Sequence, residues 1–149
     1  MSVFKAYDIR GLAGSQLDAE FAERLGSAIV THTGAKTIAV ARDIRESGPE
    51  LHTALLTGIT SAGADVLDLG ITTTGVLYRA TVDLEVDASI VITASHNPPE
   101  YNGFKIGFHK GSPRSRRRHR GYGCKRIRVQ GGPLCTMRLQ VIMAEKISY

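Results

Sequence analysis

The residues best equipped for chemistry lie in one stretch: Thr93-Ala94-Ser95-His96-Asn97-Pro98-Pro99-Glu100-Tyr101-Asn102-Gly103-Phe104-Lys105. It begins at the end of Ala88-Ser89-Ile90-Val91-Ile92-Thr93, the most β-branched run in the chain. A hydroxyl just past a buried strand can be held rigidly and turned toward a cleft. Ser95 has that position, His96 and Asn97 can supply hydrogen bonds, and Pro98 stiffens the loop. Arg10, Arg42, Arg45 and Lys105 are expected on the same rim, where their charge suits an anionic ligand such as a phosphate. Taken singly these features are ordinary. A Ser-His pair in a loop and an Asn-Pro step are common turn chemistry, and Arg42-Asp43-Ile44-Arg45 alone reads as a salt-bridged corner.

Several other chemistries are excluded. Ser95 is not framed by the Gly-x-Ser-x-Gly of a hydrolase elbow. There is no Walker-type phosphate loop and no dinucleotide-binding glycine fingerprint. Cys124 and Cys135 lack metal-ligand spacing, and the five histidines are scattered. His32 and His52 fall on helical patterns and are expected on the surface.

The elements that must position the loop follow from hydrophobic period. Val3–Tyr7 reads as a short strand that ends in the turn Asp8-Ile9-Arg10-Gly11. Phe21, Ala22, Leu25, Ala28 and Ile29 recur at helical spacing between Asp18, placed to cap, and Gly34, placed to stop. Thr37–Ala41 is strand-like. A second helix carries Leu51, Leu55, Ile59 and Ala62, with Ser47 and Glu50 at capping-box spacing. Asp65–Gly70 and Ala88–Thr93 are further strands, with a short helix on Val76, Leu77 and Ala80 between them. Asn102-Gly103 signals a tight turn into a last strand, Phe104–Phe108, which can run antiparallel. Strands of this length alternating with helices predict an α/β/α sandwich around a mixed, mostly parallel sheet. The polar clusters at 8–11, 42–47, 70–74 and 94–98 should then gather on one rim.

Composition fits this picture. The chain has 149 residues, 42% hydrophobic and 22% charged, enough for one core. No apolar run is long enough to span a membrane and no secretory signal is visible, so a cytoplasmic location is expected. The net charge of +5 is unevenly spread. Residues 1–112 carry nine Lys/Arg and thirteen Asp/Glu, whereas residues 113–149 carry ten Lys/Arg and one Asp/Glu.

Three segments, Phe4–Gly11 (FKAYDIRG), Ala41–Pro49 (ARDIRESGP) and Thr93–Lys105, occur in an order and at intervals that resemble the first domain of the α-D-phosphohexomutases, in the bacterial phosphomannomutase/phosphoglucomutase branch. The resemblance covers about residues 3–111. It implies a phosphoserine at Ser95 that donates its phosphoryl group to a hexose phosphate and recovers the other phosphate of the resulting bisphosphate, so that 1- and 6-phosphosugars interconvert. It further implies that Lys105 transfers a proton near the reacting hydroxyl, with His96 as a helper. Tyr7 and Arg10 would line the cleft, and Asn97 would orient the loop. The family's Mg²⁺ would be held by the Ser95 phosphate and by an aspartate loop that this sequence does not contain. Nothing in the resemblance implies a membrane or a protein partner.

The likeness stops near Gly111, where Ser112-Pro113-Arg114-Ser115-Arg116-Arg117-Arg118-His119-Arg120 begins. The chain therefore divides into 1–111, the domain with the serine loop, and 112–149, a basic tail. An arginine-rich arm can bind nucleic-acid backbones, which is the alternative function. An abrupt change to arginine, glycine and proline in mid-motif points instead to an out-of-frame translation. The expectation is a tail with no evolved function, little order of its own and no specific nucleic-acid partner, attached to a domain that is inactive alone.

Overall fold

A computed structural model describes residues 3–5, 8–108, 125–128 and 140–142, the last two segments as backbone only. Its elements are β1 (Ile9–Leu12), α1 (Ala19–Thr33), β2 (Thr37–Arg42), α2 (Gly48–Ser61), β3 (Asp65–Ile71), α3 (Thr74–Asp83), β4 (Ala88–Ile92), β5 (Tyr101–Phe108), β6 (Lys125–Arg128) and β7 (Gln140–Ile142). They build one sheet in the order β1-β5-β4-β2-β3-β6-β7. The strands β4, β2 and β3 are parallel, and β5 returns antiparallel to β4. The architecture is the expected α/β/α sandwich. Within the basic tail, β6 lies antiparallel on the edge of β3, and β7 lies on β6.

Alternation along β2 separates the two faces. Ile38 and Val40 pack with α1 and α2, whereas Ala39 and Ala41 pack with Leu77, Ala80 and Leu84 of α3 and its exit turn. From β2 the chain crosses one way to β3 and then back past β2 to β4. A constant crossover hand requires the two helices to lie on opposite faces, as they do. Leu17, Leu51, Leu55, Ile59 and Phe104 are fully buried in the larger core, each contributing about 1.5–3 kcal/mol relative to exposure.

Helix limits mostly follow the sequence signals. Asp18 accepts the Phe21 amide at 2.8 Å, and Gly34 closes α1 at φ 67°. The capping box at α2 does not form. Ser47 is itself in the right-handed helical region and makes no capping bond; its hydroxyl instead accepts a hydrogen bond from Asn102 Nδ2 of β5 at 2.8 Å.

Two expectations about strands are corrected. Among the described residues the first strand is Ile9–Leu12, and Val3–Lys5, the described part of the expected Val3–Tyr7, does not form one. Ile9 is buried while Phe4 is 63% exposed, so burial selects the later residues, and Val3 and Phe4 fold back on Ile9 and Arg10. Asn102-Gly103 is not a turn. It lies inside β5, paired with Gly11 and Arg10 of β1, and the chain reversal is made by residues 94–100. His52 is also not a surface residue. Its ring is 12% exposed and its Nε2 lies 3.0 Å from Asp68 Oδ1 on β3. Among the described residues no helix is long and apolar enough to cross a membrane.

The two helices on the larger core touch through glycine. A Cβ on Gly58 of α2 would stand 1.9 Å from the Glu23 carbonyl oxygen of α1. Gly58→Ala is expected to destabilise the domain by about 1–3 kcal/mol or more, since backbone must move. Gly75→Ala, where the nearest atom is 4.0 Å away, should be close to neutral. Paired urea melts of the two variants check this.

Candidate active site

The strand order reverses between β2 and β4, and in open α/β sheets the crevice at such a point binds ligands. Here the exits of these two strands are tied together, with the Asp43 amide donating to the Ile92 carbonyl at 3.0 Å. The Thr72 amide donates to the Arg42 carbonyl at 3.0 Å, so the exit of β3 joins the same rim. β1 joins it differently from the expectation. Ile9–Gly11 lie within β1 itself, and Ile9 pairs with Phe104, which pairs with Ile92, so β1 lies level with the carboxyl end of β4. The four polar clusters meet on one rim.

Ser95 stands at the centre of that rim and is exposed. Its φ is 55°, in the left-handed region that favours glycine. The Asn97 amide closes the turn on the Ala94 carbonyl at 3.1 Å, and the Ser95 amide donates to Thr93 Oγ1 at 3.0 Å. Serine in this conformation costs on the order of 1 kcal/mol and persists only where its surroundings over-determine it. Arg45 supplies that determination. Its Nη1 donates to the carbonyls of Pro98 (2.7 Å) and Tyr101 (2.9 Å). Its Nη2 donates to those of Ser95 (3.0 Å) and Asn97 (2.7 Å). Nε faces Asp43 Oδ2 at 3.4 Å. The four Nη N–H donors of the guanidinium are thereby engaged, and Nε is ion-paired. Arg45 was expected to offer its charge to a ligand; the structure instead commits it to the loop backbone.

The remaining cations are arranged by strand register. Arg10 on β1 is opposite Gly103, and its Nη1 donates to Asn97 Oδ1 at 3.2 Å. Its Nη2 pairs with Asp8, leaving the side chain 31% exposed. Lys105 pairs with Val91 of β4, on the face opposite the buried Phe104, and is half-buried. Arg10 and Lys105 are thus diagonal neighbours across Gly103 on the face that α3 covers elsewhere. Gly103 has no room for a side chain, since a Cβ would lie 2.4 Å from the Ile9 carbonyl and 2.9 Å from that of Thr93. A depression of about 340 Å³ opens on this face, lined by Asp43, Ile44, Thr72, Thr73, Val91 and Thr93 among others. A larger one of about 580 Å³ lies along α1 around Phe4, Phe21 and Leu25, and contains none of the loop residues.

Of the residues singled out by sequence, Ser95, Asn97 and Arg10 are brought together and Lys105 flanks them. His96 is exposed beside Ser95 with no hydrogen bond to it. Tyr7 lies outside the described residues. Asn102 was missed as more than a turn signal. It is fully buried, and besides Ser47 it holds the Gly103 amide at 2.9 Å.

A family model for phosphoglucomutase/phosphomannomutase, alpha/beta/alpha domain I, matches residues 1–120. The chain belongs to this family. It is 48% identical over 108 residues to a phosphomannomutase/phosphoglucomutase of Pseudomonas aeruginosa, covering 70% of this chain and 23% of that protein. It is 45% identical over 106 residues to a phosphomannomutase of Escherichia coli strain K12, covering 71% and 23%. In structure it is similar to a phosphoglucomutase/phosphomannomutase family protein of Burkholderia thailandensis, with a TM-score of 0.64 and 49% identity over 70% of this chain and 25% of that one. The chain therefore spans about a quarter of the length of these family members.

Asn102 links the α2 entry to β5 in this phosphohexomutase domain, which predicts a measurable coupling. Asn102→Ala should cost about 1–3 kcal/mol by stranding buried partners. Ser47→Ala should cost less, and the double variant less than the sum by about 1 kcal/mol. A double-mutant cycle by chemical denaturation checks it.

Proposed function

We propose that residues 1–111 are the phosphoryl-carrying domain of a phosphohexomutase and that Ser95 is the carrier. The observation that supports this most is the exposed Ser95, at a positive φ on the switch-point rim, in a loop whose Asn97 is bonded to Arg10. In the forward half-reaction the Ser95 Oγ–P bond breaks and a bond forms from phosphorus to a hydroxyl oxygen of a hexose monophosphate. The hydroxyl proton passes by way of Lys105 or His96 to the departing Ser95 Oγ. The bisphosphate turns over, Ser95 Oγ takes its other phosphoryl group, and its proton passes by the same relay to the sugar oxygen so released. The net change is an isomerisation between 1- and 6-phosphosugars.

Phosphoryl transfer of this kind needs little covalent help from the protein and much positioning and charge. Arg10, held to Asn97 of the loop, and Lys105 supply the charge. Asn97 joins the loop to Arg10 and so orients both. Mg²⁺ does not find a protein site in the described residues, since no group of three His, Cys, Asp or Glu side chains is placed to hold an ion.

The sugar and its second phosphate need binding surface beyond this rim, so the 149-residue chain by itself is expected not to turn over glucose 1-phosphate. A chimera tests the assignment: residues 3–111 replace the corresponding domain of the Pseudomonas aeruginosa relative. The chimera should interconvert hexose phosphates, Ser95→Ala should abolish turnover, and Lys105→Ala should lower kcat by about 10²–10⁴. An active Ser95→Ala chimera would overturn the proposal.

A further inference from the structure

Resting on that reading of Ser95, we propose that Arg45 is a positioning residue for phosphoryl transfer. It sets the geometry of the carrier serine through the loop backbone and never touches the phosphate. Three observations carry this. The side chain is only 13% exposed, so its charge is largely withdrawn from a ligand in solvent. Its four Nη donors are divided among four carbonyls between Ser95 and Tyr101, which spans the whole loop. Asp43 faces the guanidinium from behind and also accepts the Arg45 amide at 3.0 Å, so the fork is aimed at the loop from its own strand exit.

The consequence for Ser95 is specific. Its carbonyl points at Arg45, and a trans peptide directs the following amide, that of His96, the opposite way. Two of the other three carbonyls precede prolines, which carry no amide. The Ser95–His96 peptide is therefore the one in the turn that is both locked by Arg45 and able to present a donor on the far side. With the Ser95 amide held by Thr93 Oγ1, anchoring its carbonyl on Arg45 sets the path of the chain through Ser95, and so the sign of φ and the direction of that donor together. A lysine cannot reproduce this, because one ammonium cannot span four carbonyls from one plane.

The test uses the intact chain labelled with ¹³C and ¹⁵N and reads the backbone couplings that report the sign of φ at Ser95. In Arg45→Ala and Arg45→Lys the positive-φ signature should be lost, while amide signals of α1, α2 and β2 stay in place. Guanidinium ion added to Arg45→Ala should restore the signature, and urea or methylammonium at the same concentration should not. A positive φ retained at Ser95 in both variants overturns the proposal. So does unfolding of both, or recovery with urea, because Arg45 would then be a general stabiliser and not a positioning group. These readouts need no phosphate, so the carrier role of Ser95 can fail in the chimera without affecting them.

Discussion

Four backbone carbonyls converging on one guanidinium is the constraint on which the rim depends. Removing an arginine from water is costly unless each donor is matched. Here the match comes from a loop that has no regular structure and two prolines, and so has carbonyls to spare. The same contact answers two needs: it satisfies the charge of Arg45, and it fixes a serine in a conformation that serine seldom adopts. Neither partner would be stable in this arrangement without the other. That mutual dependence holds the backbone of an exposed serine at both its amide and its carbonyl.

The sheet makes the arrangement possible by bringing three strands unusually close. Gly103 lets β1 and β4 approach β5 from both sides, and Asn102 beside it reaches the start of α2. β1 is thereby held level with the end of β4, which is how Arg10 arrives next to Asn97 although 87 residues separate them. Lys105, two residues further along β5, takes its face from the same register. A one-residue slip of β5 would bury the lysine and expose Phe104. The large apolar core under α1 and α2 forbids that slip, so the position of Lys105 is secured by burial on the opposite face.

Much of this was legible in the sequence. The alternation of strand-length apolar runs with capped helices gave the layers, and the Ser95–Lys105 segment pointed to the rim. What was misread has a physical reason in each case. Val3–Tyr7 has strand composition, but composition does not say which apolar residues find a core, and Ile9 does so while Phe4 does not. Asn102-Gly103 has the signature of a turn. Its asparagine is needed for a bond to Ser47, and its glycine for close packing, neither visible without neighbours distant in the chain. Ser47 and Glu50 had capping-box spacing, but Asn102 competes for the hydroxyl. Arg45 read as a corner salt bridge, and part of that is true, since it does face Asp43. Its larger role depends on the carbonyls of residues 95–101, and backbone acceptors leave no mark in a side-chain pattern.

The central claim is that Ser95 carries a phosphoryl group, and the most direct measurement is the location of covalent phosphate. Protein isolated from its own cells under phosphatase inhibition, digested and mapped by tandem mass spectrometry, should show phosphate on Ser95 and none on Ser47 or Ser89. Phosphate absent from Ser95, or found on another serine in its place, would contradict the account.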